Sequence, residues 1–437
     1  MDALTHRKHP WRNAILLLLC WTFPFSLFAL FEGALRWAGY GENLAPIVFE
    51  SHEGAGYWVY NGRFPEAFLH VAWEGEDLDA PAVKPAHTKR IVVLGESAAH
   101  GYPTREFAFP RCLEALLRER YPGVGFEFLN MAYPGVDSQV LYAEACAAVK
   151  TFQPDAFLVY MGNNEAIGPF GPRYGRDGAL HVPSVWADRA TIALDRLRLT
   201  QLCRAWLGPP KTVASGKDSF GPEHPETAHI YANFRTNLRD ICSVAEGAGI
   251  PVVLCSVATA LRDWMPCDAP DKAERPAAWT AVFEEGVERQ QAGDAAAALA
   301  RFETALERYP DDAEVHFRIG QCQWALGDFA KAKEAFHAAR ECDAFLFARA
   351  RDPINAAIRA EAAACAGRGV YFADVESGVA TASEKGIPGI ECFLDQCHFS
   401  FRGGTVAART ILPAMVEALG LDRGAPGIED METAVSY

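Results

Sequence analysis

Ile91, Val92, Val93 and Leu94 form the stretch that most restricts how this chain can fold. This continuous, β-branched-rich run lies between Lys89-Arg90 and Gly95, the pattern of a strand buried on both faces. It reads as the central strand of a parallel sheet. Helical spacing resumes near Pro110 with Leu113, Leu116 and Leu117, which leaves Glu96 and Ser97 in the turn at the strand's carboxyl end. Open α/β sheets keep their sites there. Taken alone, Ser97 is an ordinary turn or capping serine, so the rest of the chain has to decide.

Further strands are predicted at 126–130, 156–161, 250–257 and 369–375, with helices at 143–152 and 229–247. Residues 184–207 read as one amphipathic helix that either forms a lid or covers the sheet, followed by a loop at 208–227. More than a hundred residues separate the last two strands, and such a gap needs structure of its own. Gly286, Gly293, Ala298, Phe302 and Ala305 recur 34 positions later as Gly320, Gly327, Ala332, Phe336 and Ala339. That period and those residue types signal tetratricopeptide-like helical hairpins, in which small residues allow close packing and phenylalanines fill the groove. Two repeats are visible, so 344–366 is expected to cap them.

Ahead of the sheet, Arg7, Lys8 and Arg12 precede an uncharged apolar stretch at 13–31 that contains Pro24. Its length suits one membrane crossing, and without a small-residue cleavage site after it, an uncleaved anchor is expected rather than a signal peptide. The basic cluster would stay cytoplasmic, which sends the rest of the chain to the outer face. Residues 35–85 lack clear periodicity and read as an irregular segment lying on the domain. The net charge of −15 and the absence of a basic stripe argue against a nucleic-acid partner. Twelve cysteines show neither metal-binding nor scaffold spacing. Cys392 and Cys397 are expected either to pair in an oxidising compartment or to stay as buried thiols.

Polar residues gather after each strand: Ser97; Gly135; Gly162-Asn163-Asn164-Glu165; and Asp395 three residues before His398. A serine hydroxyl is a poor nucleophile until a base takes its proton, a task open to His398 with Asp395 fixing its tautomer. The backbone N–H groups of Ser97 and Gly135 and the side-chain amide of Asn164 are candidate oxyanion donors.

These residues resemble the SGNH (GDSL-like) hydrolase family. Gly95-Glu96-Ser97 is similar to the family's Gly-Asp-Ser block, Gly135 to its second-block glycine, 162–165 to Gly-x-Asn-Asp, and Asp395 to His398 to Asp-x-x-His. Glu96 and Glu165 replace aspartates, and Glu165 is expected to alter the acceptor pocket. The resemblance implies a three-layer α/β/α, flavodoxin-like parallel sheet with the helical repeats inserted, and ester hydrolysis or acyl transfer without metal or cofactor. The domain plan is a basic tail (1–12), an anchor (13–31), a juxtamembrane segment (32–88), a hydrolase-like domain in two parts (89–278 and 346–420), the repeats (279–345) and a tail (421–437). Expected partners are an acyl-ester substrate such as an acylated glycan, a protein bound by the repeats, and the membrane. The alternative is a non-catalytic assembly or scaffold protein that works through its repeats.

Overall fold

The structure is a computed structural model that describes residues 10–69, 78–102, 104–105, 108–171, 184–207, 225–266, 275–343 and 349–422. The apolar stretch at 13–31 lies in α1 (Pro10–Trp37), with Pro24 inside the helix. The side chains of residues 10–20 fall outside the described residues. Among the described residues, no helix is long and apolar enough to cross a membrane. From Trp21 onward α1 exposes Trp21, Phe23, Phe25 and Leu30.

Residues 35–85 are more regular than their sequence suggests. β1 (Ile47–His52) and β2 (Ala55–Tyr60) form an antiparallel hairpin. Its two-residue turn holds Glu53 and Gly54 at φ 51° and 83°, the twist a tight hairpin requires. A short α2 (Arg63–Glu66) follows, and β3 (Asp79–Pro81) adds to β2 as a third strand. Phe64 and Tyr60 are buried in the main core, so this small sheet does lie on the domain.

The predicted central strand is β4 (Thr88–Gly95), in which 91–94 are fully buried. Arg90 lies inside the strand, not at its boundary. Its guanidinium is fully buried because Glu127 and the carbonyls of Phe152 and Pro81 accept its N–H groups. After α3 (Ser97–His100) and α4 (Phe109–Arg120) come β5 (Gly125–Asn130), α5 (Ser138–Thr151) and β6 (Ala156–Tyr160). The helix predicted at 184–207 is two helices, α6 (Val185–Asp195) and α7 (Arg198–Leu207). The break has a cause: the Glu32 carboxylate accepts the Arg198 and Leu199 N–H groups at 3.0 and 2.9 Å and caps α7. This pair therefore ties α1 to the domain, α7 against α1 and α6 against α5. Most of the loop expected at 208–227 lies outside the described residues.

α8 (Pro225–Gly247) leads into β7 (Val252–Cys255). Four helices follow in place of the next strand: α9 (Ala277–Gln291), α10 (Ala295–Arg308), α11 (Ala313–Ala325) and α12 (Phe329–Cys342). The repeat is physical as well as textual. A Cβ on Gly286 would come within 2.7 Å of the Phe302 ring, and one on Gly320 within 2.7 Å of Phe336. Asp294 and Asp328 cap α10 and α12 in the same way.

Of the stretch expected to cap the repeats, 344–348 lie outside the described residues, and its helix start meets them, where Asp352 accepts from Arg340 of α12. Its helix, α13 (Asp352–Ala364), packs on α8 and the sheet, because Ile354, Ala357 and Ile358 present an apolar face to the main core. β8 (Val370–Ala373), α14 (Val375–Ala382) and α15 (Phe401–Ala418) complete the domain. The five long-sheet strands are all parallel, in the order β5-β4-β6-β7-β8. Helices α4, α14 and α15 cover one face and α5, α8 and α13 the other, giving the expected three-layer, flavodoxin-like arrangement. Its strand order reverses between β4 and β6, and Ser97 and Asn164 follow those two strands.

Candidate active site

Gly95 closes β4 at a point with no room for a side chain, since a Cβ there would meet the Tyr160 carbonyl oxygen at 2.7 Å and the Ala99 Cβ at 2.5 Å. The next residue turns inward. The Glu96 carboxylate, 1% exposed, accepts the backbone N–H groups of Gly162, Asn163 and Asn164 at 3.0, 2.9 and 3.3 Å. The residue before Ser97 thus fixes the loop after β6. Glu96 does this from inside the core.

Asp395 organises the other side. Its Oδ1 accepts the backbone N–H groups of Cys397 and His398 at 2.9 and 2.8 Å, which turns the His398 ring back onto Oδ2. His398 Nδ1 lies 2.6 Å from Asp395 Oδ2, and its Nε2 lies 2.7 Å from Ser97 Oγ. The structure therefore brings together three residues separated by almost the whole domain. Gly135 has φ 79° in the loop after β5, whose start is pinned by Met131 N–H to the Val93 carbonyl and Tyr133 N–H to the Gly95 carbonyl. The Asn164 side-chain amide nitrogen is buried and has no hydrogen-bond partner among the described residues. A buried donor left unpaired costs about 1–3 kcal/mol, and a ligand oxygen would relieve that cost.

Charge follows the same division. Burial pushes Glu96 up to about 7, against the pull of its three backbone donors. Burial also raises Glu165 well above the carboxylate range, reinforced by the Asp137 and Glu96 charges. For Asp395, burial is outweighed by the His398 ring and the Cys397 and His398 N–H groups, which hold it below its ordinary value. An ionised Asp395 beside His398 favours the ring tautomer whose Nε2 can accept a proton from Ser97.

Glu165 does not face an acceptor pocket. Its carboxylate turns into the core, where Ser138 N–H and Oγ–H donate to it at 3.0 and 2.7 Å. Cys392 and Cys397 are both free, buried thiols and not a disulfide. Three contacts escaped the sequence reading. Tyr102 places its ring 4.7 Å from that of His398. Asn163 accepts the Ala350 N–H at 2.9 Å and so binds the loop after β6 to the chain leaving the repeats. The third is Arg262, which donates to Asp263, Glu384 and Glu391 and lies 4.6 Å over the Trp324 ring of α11. Beside it, Leu261 and Ile387 are buried against Phe317 and Phe336 of the second repeat. The Ala260 N–H donates to the Gln396 carbonyl, next to Asp395. Nothing in this group carried a sequence signal, because most of the partners are remote in the chain.

A hydroxyl, an imidazole and a carboxylate in this chain, with an unpaired amide nearby, can perform acyl transfer: proton removal, attack on a carbonyl and stabilisation of the oxyanion.

No curated protein matches the sequence. The chain is similar in structure to Axe2, an acetyl xylan esterase from Geobacillus stearothermophilus, in a variant form, with 11% identity, a TM-score of 0.36, and 76% of this chain and 95% of that chain covered. It is similar also to a GDSL-like lipase from Parabacteroides merdae (12% identity, TM-score 0.36, 76% of this chain and 96% of that one). A lipase/acylhydrolase from Enterococcus faecalis gives 13% identity and a TM-score of 0.32 over 76% of this chain and 96% of that one. Residues 290–351 match the tetratricopeptide repeat family, which identifies the insert between β7 and α13 as a module of that kind.

Proposed function

We propose that the chain is a serine esterase or O-acyltransferase of the SGNH type, anchored by residues 13–31 and acting outside the cytoplasm on an acyl ester such as an acylated glycan. The observation that carries the chemistry is the continuous hydrogen-bonded chain from Ser97 Oγ through His398 to Asp395, at 2.7 and 2.6 Å. His398 Nε2 takes the Ser97 proton as Oγ attacks the ester carbonyl. The Ser97 and Gly135 N–H groups and the Asn164 amide receive the oxyanion. His398 then protonates the leaving alcohol, and an acyl-Ser97 remains. Water or a glycan hydroxyl, deprotonated by His398, takes the acyl group and restores the serine. Hydrolysis and transfer differ only in that last acceptor.

Turnover of p-nitrophenyl acetate tests this reading. Ser97→Ala and His398→Ala are expected to abolish it with the fold intact, whereas Asp395→Asn is expected to be less severe. Asn164→Ala is expected to cost about a hundredfold or more. Wild-type turnover in Ser97→Ala would remove the assignment. Products formed from acetylated polysaccharide then separate hydrolysis from transfer.

The apolar run at 13–31, preceded by Arg7, Lys8 and Arg12, supports the anchor and its orientation. Protease protection on inner-membrane vesicles checks it: a soluble product contradicts it. The repeats favour a protein partner, as such modules stack helices into a binding surface. They also sustain the second reading, a non-catalytic assembly or scaffold protein, which the ester assay excludes if turnover is found.

A further inference from the structure

The two donors outside Ser97 that are read as receiving the oxyanion stand on loops whose strands are not neighbours. Gly135 follows β5 and Asn164 follows β6, with β4 between them, so the strand ends are two sheet spacings, about 9.5 Å, apart. Glu96 ties the loop after β6 to the end of β4, and the Met131 and Tyr133 N–H groups tie the loop after β5 to that same strand. Beyond those points the spacing of the two donors has to be set by contacts between the loops themselves. Two buried carboxylates supply them, crossing in opposite directions. Glu165, the residue after Asn164, accepts the Ser138 N–H and Oγ–H at 3.0 and 2.7 Å, three residues past Gly135. Asp137 caps α5 through Oδ1, which accepts the Gln139 N–H, while its Oδ2 accepts the Phe170 N–H at 2.7 Å. Ser138 is backed from behind as well, because Asn237 of α8 donates to its Oγ at 2.9 Å and Arg189 of α6 donates to Asn237. It is thus held between the helix layer and the loop that carries Asn164.

For stability alone this arrangement is a costly choice. Asp137, Ser138 and Glu165 are 2%, 0% and 9% exposed, and neither carboxylate is paired with a cation among the described residues. Apolar side chains of similar volume would fill the same space without the cost of burying polar groups. What they lack is direction. Hydrogen bonds fix both the length and the angle of a link, which is what a shell supporting reacting groups requires.

We propose that Glu165 is a positioning residue for the oxyanion site, holding the Asn164 amide in register with the Gly135 N–H through its two bonds to Ser138. The inference rests on the reading of those two groups as oxyanion donors and adds what keeps them at a fixed separation. Glu165 itself touches neither substrate nor the reacting atoms, since its carboxylate points away into the core.

Steady-state turnover of p-nitrophenyl acetate by the full chain tests this, with Asn164→Ala as the reference. Glu165→Ala is expected to lower kcat about tenfold, less than loss of the donor itself. A misplaced donor weakens transition-state binding and leaves ground-state binding alone, so KM is expected to stay within about twofold. Glu165→Gln keeps an acceptor for the Ser138 N–H and a polar partner for its Oγ, and is expected to hold kcat within about twofold of wild type. Ser138→Ala, which cuts only the Oγ bond, should fall between the two. Glu165→Ala combined with Asn164→Ala should lose clearly less than the product of the single losses, because the second change misplaces a donor already removed. A rise in KM in place of the fall in kcat, equal losses in Glu165→Gln and Glu165→Ala, or fully multiplicative losses would each overturn the positioning role. If Glu165→Ala does not fold, wild-type kcat in Ser138→Ala overturns it alone. Failure of the underlying oxyanion reading would show separately, as wild-type kcat in Asn164→Ala.

Discussion

Glu96 holds the Ser97 side of the site from inside the core, whereas Arg262 holds the His398 side from a boundary with the inserted repeats. The first is a buried carboxylate gripping three backbone N–H groups across two neighbouring strands. The second is a cation at the boundary with the repeats, its side chain 11% exposed, tied to three carboxylates that are more open and stacked on Trp324. Burial makes each bond at Glu96 hard to replace, while solvent and salt reach the pairs at Arg262. The Ser97 side is thus built into the fold, and the His398 side depends on a module inserted later in the chain.

The largest effect should come from Glu96→Ala, which leaves three buried N–H groups without their acceptor, at about 1–3 kcal/mol each. Loss of esterase activity together with a fall in Tm is expected; an active, equally stable variant would break the contrast. The titration of Glu96 sharpens it. Because burial lifts Glu96 from 4.5 to about 7, the folded state holds this proton more tightly than the unfolded chain. That stabilisation is complete below 4.5 and is lost as pH rises through about 7. Melting curves of wild type and Glu96→Gln should therefore differ in slope across this window, wild type losing more stability with rising pH; parallel curves would contradict the assignment.

A smaller and more selective effect separates the two repeats. Phe302→Ala and Phe336→Ala each open a cavity and should cost about 3–5 kcal/mol locally. Only Phe336 packs with Leu261 and Ile387, so only Phe336→Ala should also lower turnover of a small ester. Equal turnover losses in both variants would mean that the module acts as one body. Replacing 279–345 by a linker is expected to damage the His398 loop itself, since the second repeat covers Leu261 and Ile387. Least severe should be Arg262→Ala: a kcat/KM decrease of about tenfold at low ionic strength, shrinking as salt screens the wild-type pairs. A salt-independent defect would place Arg262's contribution in packing.

The same division explains what could be read in the sequence. The strand runs at 91–94 and 156–161 were legible because burial on both faces leaves no choice but apolar residues. Asp395 and His398 were legible because their partnership is local, three residues apart. The repeats showed themselves because Gly286 with Phe302 and Gly320 with Phe336 solve one packing problem twice. The contacts of Arg262, Asn163 and Ala350 were not, since ion pairs and backbone contacts between distant segments impose no local pattern. The hairpin at 47–60 was missed although Glu53-Gly54 is a two-residue turn signal, because its strands lack clean alternation: Phe49 and Trp58 pair on a half-exposed face. Similarly, α13 looked like a repeat cap because its distance from the repeats in sequence is short; its apolar face belongs to the sheet.

All of these contrasts presuppose that Ser97 is the reacting atom's home. Covalent labelling with a fluorophosphonate probe, followed by peptide mass mapping, tests that most directly. The expected result is stoichiometric modification of Ser97 in the wild-type chain, strongly slowed in His398→Ala and absent in Ser97→Ala. Labelling at another serine, or at Ser97 with a rate indifferent to His398, would contradict it.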